Sequence, residues 1–198
     1  MSDTDIPSTP LHWGLYQSLE QDFLRLARFI EVNTNQFNVY SLELTRLLLS
    51  LGAEIDSVAK ALCHKLDTSS TPNKITQYQP IISTGFSAFS DTEVQFTHYR
   101  FCLKPWQGWT ASNSPIWWRH HNKVKHNRQL NFEHGNLGNV ANALAALFIL
   151  CVHLYKDEFE KGMICPSPQL LFLNTPVEGY VVVTDIGMMT TGFKLPAS

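Results

Sequence analysis

Arg119, Asn122 and His126 are the residues whose types and spacing could do chemistry in this chain. They lie in the stretch Ile116-Trp117-Trp118-Arg119-His120-His121-Asn122-Lys123-Val124-Lys125-His126-Asn127-Arg128. Wound as a helix at about 100° per residue, the three share one side. Trp117 and Val124 fall opposite, with His121 near them. A guanidinium can grip a phosphate in bidentate fashion, and a carboxamide can orient it. An imidazole with an ordinary pKa of about 6.5 can carry a proton at neutral pH. Such a set on one helix face can hold a phosphate and move a proton. The same spacing also fits a solvated helix face or a polar knot between helices.

Several elements must position this stretch. Ser112-Asn113-Ser114-Pro115 is a helix-start signal, with Pro115 suited to the first helical position. Thr9-Pro10 opens an earlier helix in the same way, and Leu15, Leu19, Phe23, Leu26 and Ile30 give it an apolar stripe. A second helix is expected from about Asn38 to Leu66, with Gly52 a mild weakness in it. On this helix Glu54 flanks the apolar stripe, placed to support Arg119 or His126. Asn73 to about Ile82 reads as a short helix limited by Pro80, and Val94–Leu103 as one extended segment. A long apolar helix from about Phe132 to Glu158 should form the centre of the core. Leu170–Leu173, Tyr180–Val183 and Phe193–Leu195 read as strands that dock on the bundle, with Val94–Leu103 as a pairing partner. The whole is one domain over 1–198: a mainly α bundle of four to five helices over 9–158, with a small β element in a tail over 165–198.

Trp117-Trp118, then Asn122-Lys123-Val124-Lys125-His126-Asn127-Arg128 and Asn136-Leu137, resemble bacterial members of the HEPN superfamily. An Arg followed after four to six residues by a His is that superfamily's signature, and six residues separate Arg119 from His126. In the commonest form the Arg stands immediately before a polar residue such as Asn, four residues ahead of the His, and here His121 holds that slot. The resemblance covers roughly residues 40–155. It implies a helical bundle that dimerises, with Arg119, Asn122 and His126 catalytic and His121 and Glu54 supporting. It further implies an endoribonuclease of single-stranded RNA, in stress or defence, with a protein antitoxin or regulator as a possible partner. The alternative is a non-catalytic module of the same kind that binds RNA, nucleotide or protein.

Charge adds to this. The chain carries −2 overall, yet Val94–Phe132 contains no Asp or Glu and six cations, so the rest carries −8. That asymmetry suits an anionic partner at one face. Lys123, Lys125 and Arg128 are the expected phosphate contacts, and Trp118 a surface on which a base could stack. Neighbouring acidic helices could equally neutralise the face. His120-His121 and His121–His126 diverge on a helix, so no metal or other cofactor is expected. Four scattered cysteines and a polar start to the chain suggest a reduced, cytoplasmic protein with no membrane partner.

Overall fold

Leucines at three- and four-residue intervals make a helix that can bury one long face, and α2 (Leu42–Leu66) does so. Leu44, Leu48, Leu51, Ile55, Val58 and Leu62 are all buried. The Ser41 hydroxyl accepts the Leu44 N–H at 3.1 Å and starts the helix four residues later than expected. The structure is a computed structural model that describes residues 9–174. In it α2 packs along α5 (Leu137–Leu154) as the central pair. By length and hydropathy α5 could span a membrane, but 89% of it is buried among the other helices, which makes it the core helix. Its small Ala141, Ala143, Ala145 and Ala146 let neighbours approach closely.

Helices α1 (Leu11–Leu26) and α4 (Ile116–His126) each contact both central helices, and α3 (Ile75–Gly85) lies against α2. The expected helix over 132–158 is divided. Phe132–His134 is a 3-10 turn, Asn136 caps α5, and α6 (Lys156–Glu160) follows a break at Tyr155. Helix α3 runs past Pro80 to Gly85, because burial of Tyr78 and Ile82 on either side outweighs the one lost backbone bond. Pro10 and Pro115 are caps of α1 and α4 and not their first residues. The Thr9 hydroxyl does not cap α1. It donates to the Cys165 carbonyl at 2.6 Å.

Val94–Leu103 is two strands, not one. β1 (Val94–Phe96) and β2 (Phe101–Leu103) form a hairpin that turns at Arg100, whose φ is 57°. β3 (Leu171–Leu173) pairs antiparallel with β1, so the expected docking on this segment is observed. The strands expected at Tyr180–Val183 and Phe193–Leu195 lie outside the described residues. The approach to β3 is fastened to one stripe of α1. Trp13 Nε1 donates to the Pro166 carbonyl at 2.8 Å, and the fully buried Glu20 carboxylate accepts the Gln169 and Leu170 N–H groups, each at 3.0 Å. Tyr16 Oη also donates to Glu20, at 2.7 Å. Cys63 and Cys151 are buried free thiols, while Cys102 and Cys165 are exposed.

Candidate functional site

Helix α4 is anchored by tryptophans. Trp117 Nε1 donates to the Pro105 carbonyl at 2.7 Å, Trp106 Nε1 to the Ala146 carbonyl and Trp109 Nε1 to the Ile75 carbonyl. All three rings are buried, and Trp106 meets Trp117 edge-on at 5.4 Å. These indoles are core with satisfied N–H groups, not platforms for bases. Val124 is buried with them, so the helix presents the side opposite Trp117 outward, as its pattern requires.

Arg119 and His126 are exposed on that outer side, and Asn122 is half-buried at its margin. Seven residues at about 1.5 Å rise set Arg119 and His126 roughly 10 Å apart along the axis. Arg119 Nη1 donates to Asn113 Oδ1 at 2.7 Å and to the Ser114 carbonyl at 3.0 Å, which ties the side chain back to the preceding loop. Lys123, Lys125 and Arg128 are exposed. Among the described residues no carboxylate pairs with Arg119, Lys123, Lys125 or Arg128. Among the described residues, then, no ion pair neutralises these four cations.

The expected supporting residues are elsewhere. Glu54 does not reach Arg119 or His126. It faces α1, where Oε1 lies 2.6 Å from His12 Nδ1. The flank of the α2 stripe that carries Glu54 is the flank turned toward α1, not toward α4. His121 is buried, 3% exposed, on the side of α4 away from His126. Burial pushes its pKa down to about 4, and the Lys125 charge acts in the same direction. His121 is thus neutral at pH 7 and is no partner for His126. Trp118 is 8% exposed and tilts over the His121 ring at 5.1 Å, too covered to stack a base on the outer face.

His121 shows why α2 carries a glycine. A Cβ on Gly52 would lie 2.2 Å from His121 Nε2, so α2 and α4 can meet here only because residue 52 has no side chain. Beside that contact a cleft of about 840 Å³ opens between α2, α4 and the amino end of α3. Trp118, His121, Asn122 and Lys125 form one wall. Their spacing is i, i+3, i+4, i+7, a helical face that the emphasis on Arg119 and His126 passed over. Asn73 to Thr76 form the opposite wall, and Asp56 lies at the floor. Both Asp56 oxygens are engaged, by Lys60 Nζ at 2.5 Å and Tyr78 Oη at 2.6 Å. The structure therefore splits the predicted trio: Asn122 belongs to the cleft, while Arg119 and His126 stay outside it.

One further feature escaped the sequence. His120 stacks on His134 at 3.9 Å with the rings nearly parallel; the Asn139 carboxamide hydrogen-bonds the His120 ring and donates from Nδ2 to the His134 main-chain carbonyl. Burial lowers the His120 pKa. The thirteen residues between the partners hide this contact from any helical periodicity. Among the described residues no group of three or more His, Cys, Asp or Glu could hold a metal ion. Compared with known proteins, the chain matches no family model, no curated protein and no solved structure.

Proposed function

We propose that this chain is a HEPN-like module that binds single-stranded RNA along the exposed cations of α4 and of the turn that follows it. One observation carries this reading: Arg119, Lys123, Lys125 and Arg128 are exposed, without a carboxylate partner among the described residues. Three of these cations stand on α4 and Arg128 in the turn just after it, and unpaired cations so placed match the phosphates of a nucleic-acid strand, whose neutralisation supplies most of the affinity. Fluorescence anisotropy with a labelled single-stranded RNA tests it. Lys123→Ala and Arg128→Ala should each weaken binding several-fold across unrelated sequences, because phosphate contacts carry no sequence information. Wild-type protein that fails to bind any RNA at low salt would defeat the proposal.

Catalysis is the second reading, and the exposure of Arg119 and His126 on one side of α4 favours it. One protomer offers a single imidazole there, so the site would need a second copy related by a twofold axis. A homodimer that cleaves RNA in the presence of a chelator, and loses the activity in His126→Ala, is the expected outcome of that reading. Equal inertness of wild type and His126→Ala leaves the binding module.

A further inference from the structure

We infer that the cleft between α2, α4 and the amino end of α3 is a binding site for a phosphomonoester group. This goes beyond the outer face of α4 and rests on different residues, with only Lys125 common to both.

Three independent observations converge on one volume. The first is the α3 amino end. No side chain caps it, and the Gln77 carboxamide reaches only the Asn73 N–H, at 3.0 Å. The N–H groups of Lys74, Ile75 and Thr76 therefore have no partner among the described residues, and these residues line the cleft. Free N–H groups at a helix start, with the helix dipole behind them, attract anions.

The second is His121. It is 3% exposed, and its Nδ1 makes no well-formed hydrogen bond, although the Asn122 side chain stands beside the ring. Nε2 is the ring nitrogen turned toward Gly52, and Nδ1 is the buried atom with an unmet need. Buried nitrogens are rarely left so, and a ligand oxygen in the cleft beside it would satisfy it. A neutral ring with its proton on Nδ1 donates to such an oxygen.

The third is charge. Lys74 and Lys125 border the cleft from opposite walls, and neither has an ion-pair partner among the described residues. Asp56 is the carboxylate of the cleft, and Lys60 and Tyr78 hold both its oxygens. The remaining polar group, the Asn122 carboxamide, can donate or accept. Donors thus outnumber acceptors at every wall except the floor. A dianion with three terminal oxygens meets the helix start, the imidazole and two ammonium groups at once. Gly52 and Ala53 of α2 line its floor, and a terminal phosphate, with three free oxygens, uses this set of donors more fully than a chain-internal diester with two. The volume of about 840 Å³ is ample for the group that carries the phosphate.

The experiment uses the full chain at pH 7 in ¹H–¹⁵N spectra. Inorganic phosphate, adenosine 5′-monophosphate and adenosine are titrated separately, then a short RNA with a 5′-phosphate against the same RNA with a 5′-hydroxyl. The expected result is saturable shifts at the amides of residues 74–76 and at the His121 ring nitrogens with every probe that carries a free or terminal phosphate, and none there with adenosine or with the 5′-hydroxyl RNA. The two RNA arms separate a free nucleotide from an RNA end as the source of the group. Lys74→Ala and Lys125→Ala should each weaken the monophosphate roughly 3- to 10-fold, and Lys161→Ala, outside the cleft, should not. His121 is read in the wild-type protein, so a folding defect in a His121 variant does not decide the matter. The inference is overturned if phosphate shifts nothing, if shifts gather at Arg119 and His126 instead, or if adenosine binds as well as its monophosphate.

Discussion

Gly52→Ala should change sign according to what stands opposite it. Alanine in place of glycine in mid-helix stabilises by about 0.5–1 kcal/mol when the backbone is helical and space is free. Space is not free at residue 52. The new Cβ would lie 2.2 Å, 2.4 Å and 2.6 Å from Nε2, Cδ2 and Cε1 of His121, against an ordinary contact of about 3.5–4 Å. The ring must retreat by more than about 1 Å, and Trp118 sits against it at 5.1 Å between centroids. Overpacking of this kind costs about 1–3 kcal/mol. The net expectation is a loss of about 1–2 kcal/mol in wild type. In a His121→Ala background the clash is gone, and the same change should gain about 0.5–1 kcal/mol. Urea denaturation of the four proteins measures both effects. The coupling should be about 2 kcal/mol, and additivity, with Gly52→Ala stabilising in both backgrounds, would refute the close approach of α2 and α4.

Glu20→Ala removes the acceptor of the Tyr16 hydroxyl and of two backbone N–H groups, so it should destabilise by about 3–5 kcal/mol and speed hydrogen exchange at Gln169 and Leu170; exchange unchanged at both amides would contradict the fastening of β3 to α1. Stability should also fall as pH drops from about 6.5 to about 4. Burial lowers His121 and His153 from 6.5 to about 4, so the unfolded chain takes up these protons first. The contribution is full above pH 6.5 and is lost on the order of 3 kcal/mol per histidine toward pH 4. A flat chemical-denaturation profile over that window would count against both burials.

Much of the fold was legible where one period governed a long segment. The stripes of α1 and α2 and the greasy circumference of α5 announced themselves, and the Trp117–Val124 side of α4 gave the orientation of the motif helix. The pairing of Leu171–Leu173 with Val94–Phe96 was readable from β-branched and aromatic clustering. Failures came where contacts cross between elements. Glu54 sits on the flank of its stripe as expected, but no helical wheel states which neighbour that flank meets, and His12 of α1 takes it. Gly52 looked like a weakness because its use depends on His121, sixty-nine residues away. The cleft face of α4 differs from the Arg119–His126 face by well under half a turn, and only the position of α3 tells the two apart. Pro80 was overvalued as a stop because the burial of Tyr78 and Ile82 is a tertiary fact.

The salt dependence of RNA binding tests the central claim, that α4 takes RNA through its unpaired cations. If Arg119, Lys123, Lys125 and Arg128 each neutralise one phosphate of a single strand, log K against log salt should fall with a slope of about −3. Lys123→Ala should make that slope shallower by about 0.7 while leaving the preference among sequences unchanged. A slope near zero, or one that stays the same in Lys123→Ala and Arg128→Ala, would contradict it.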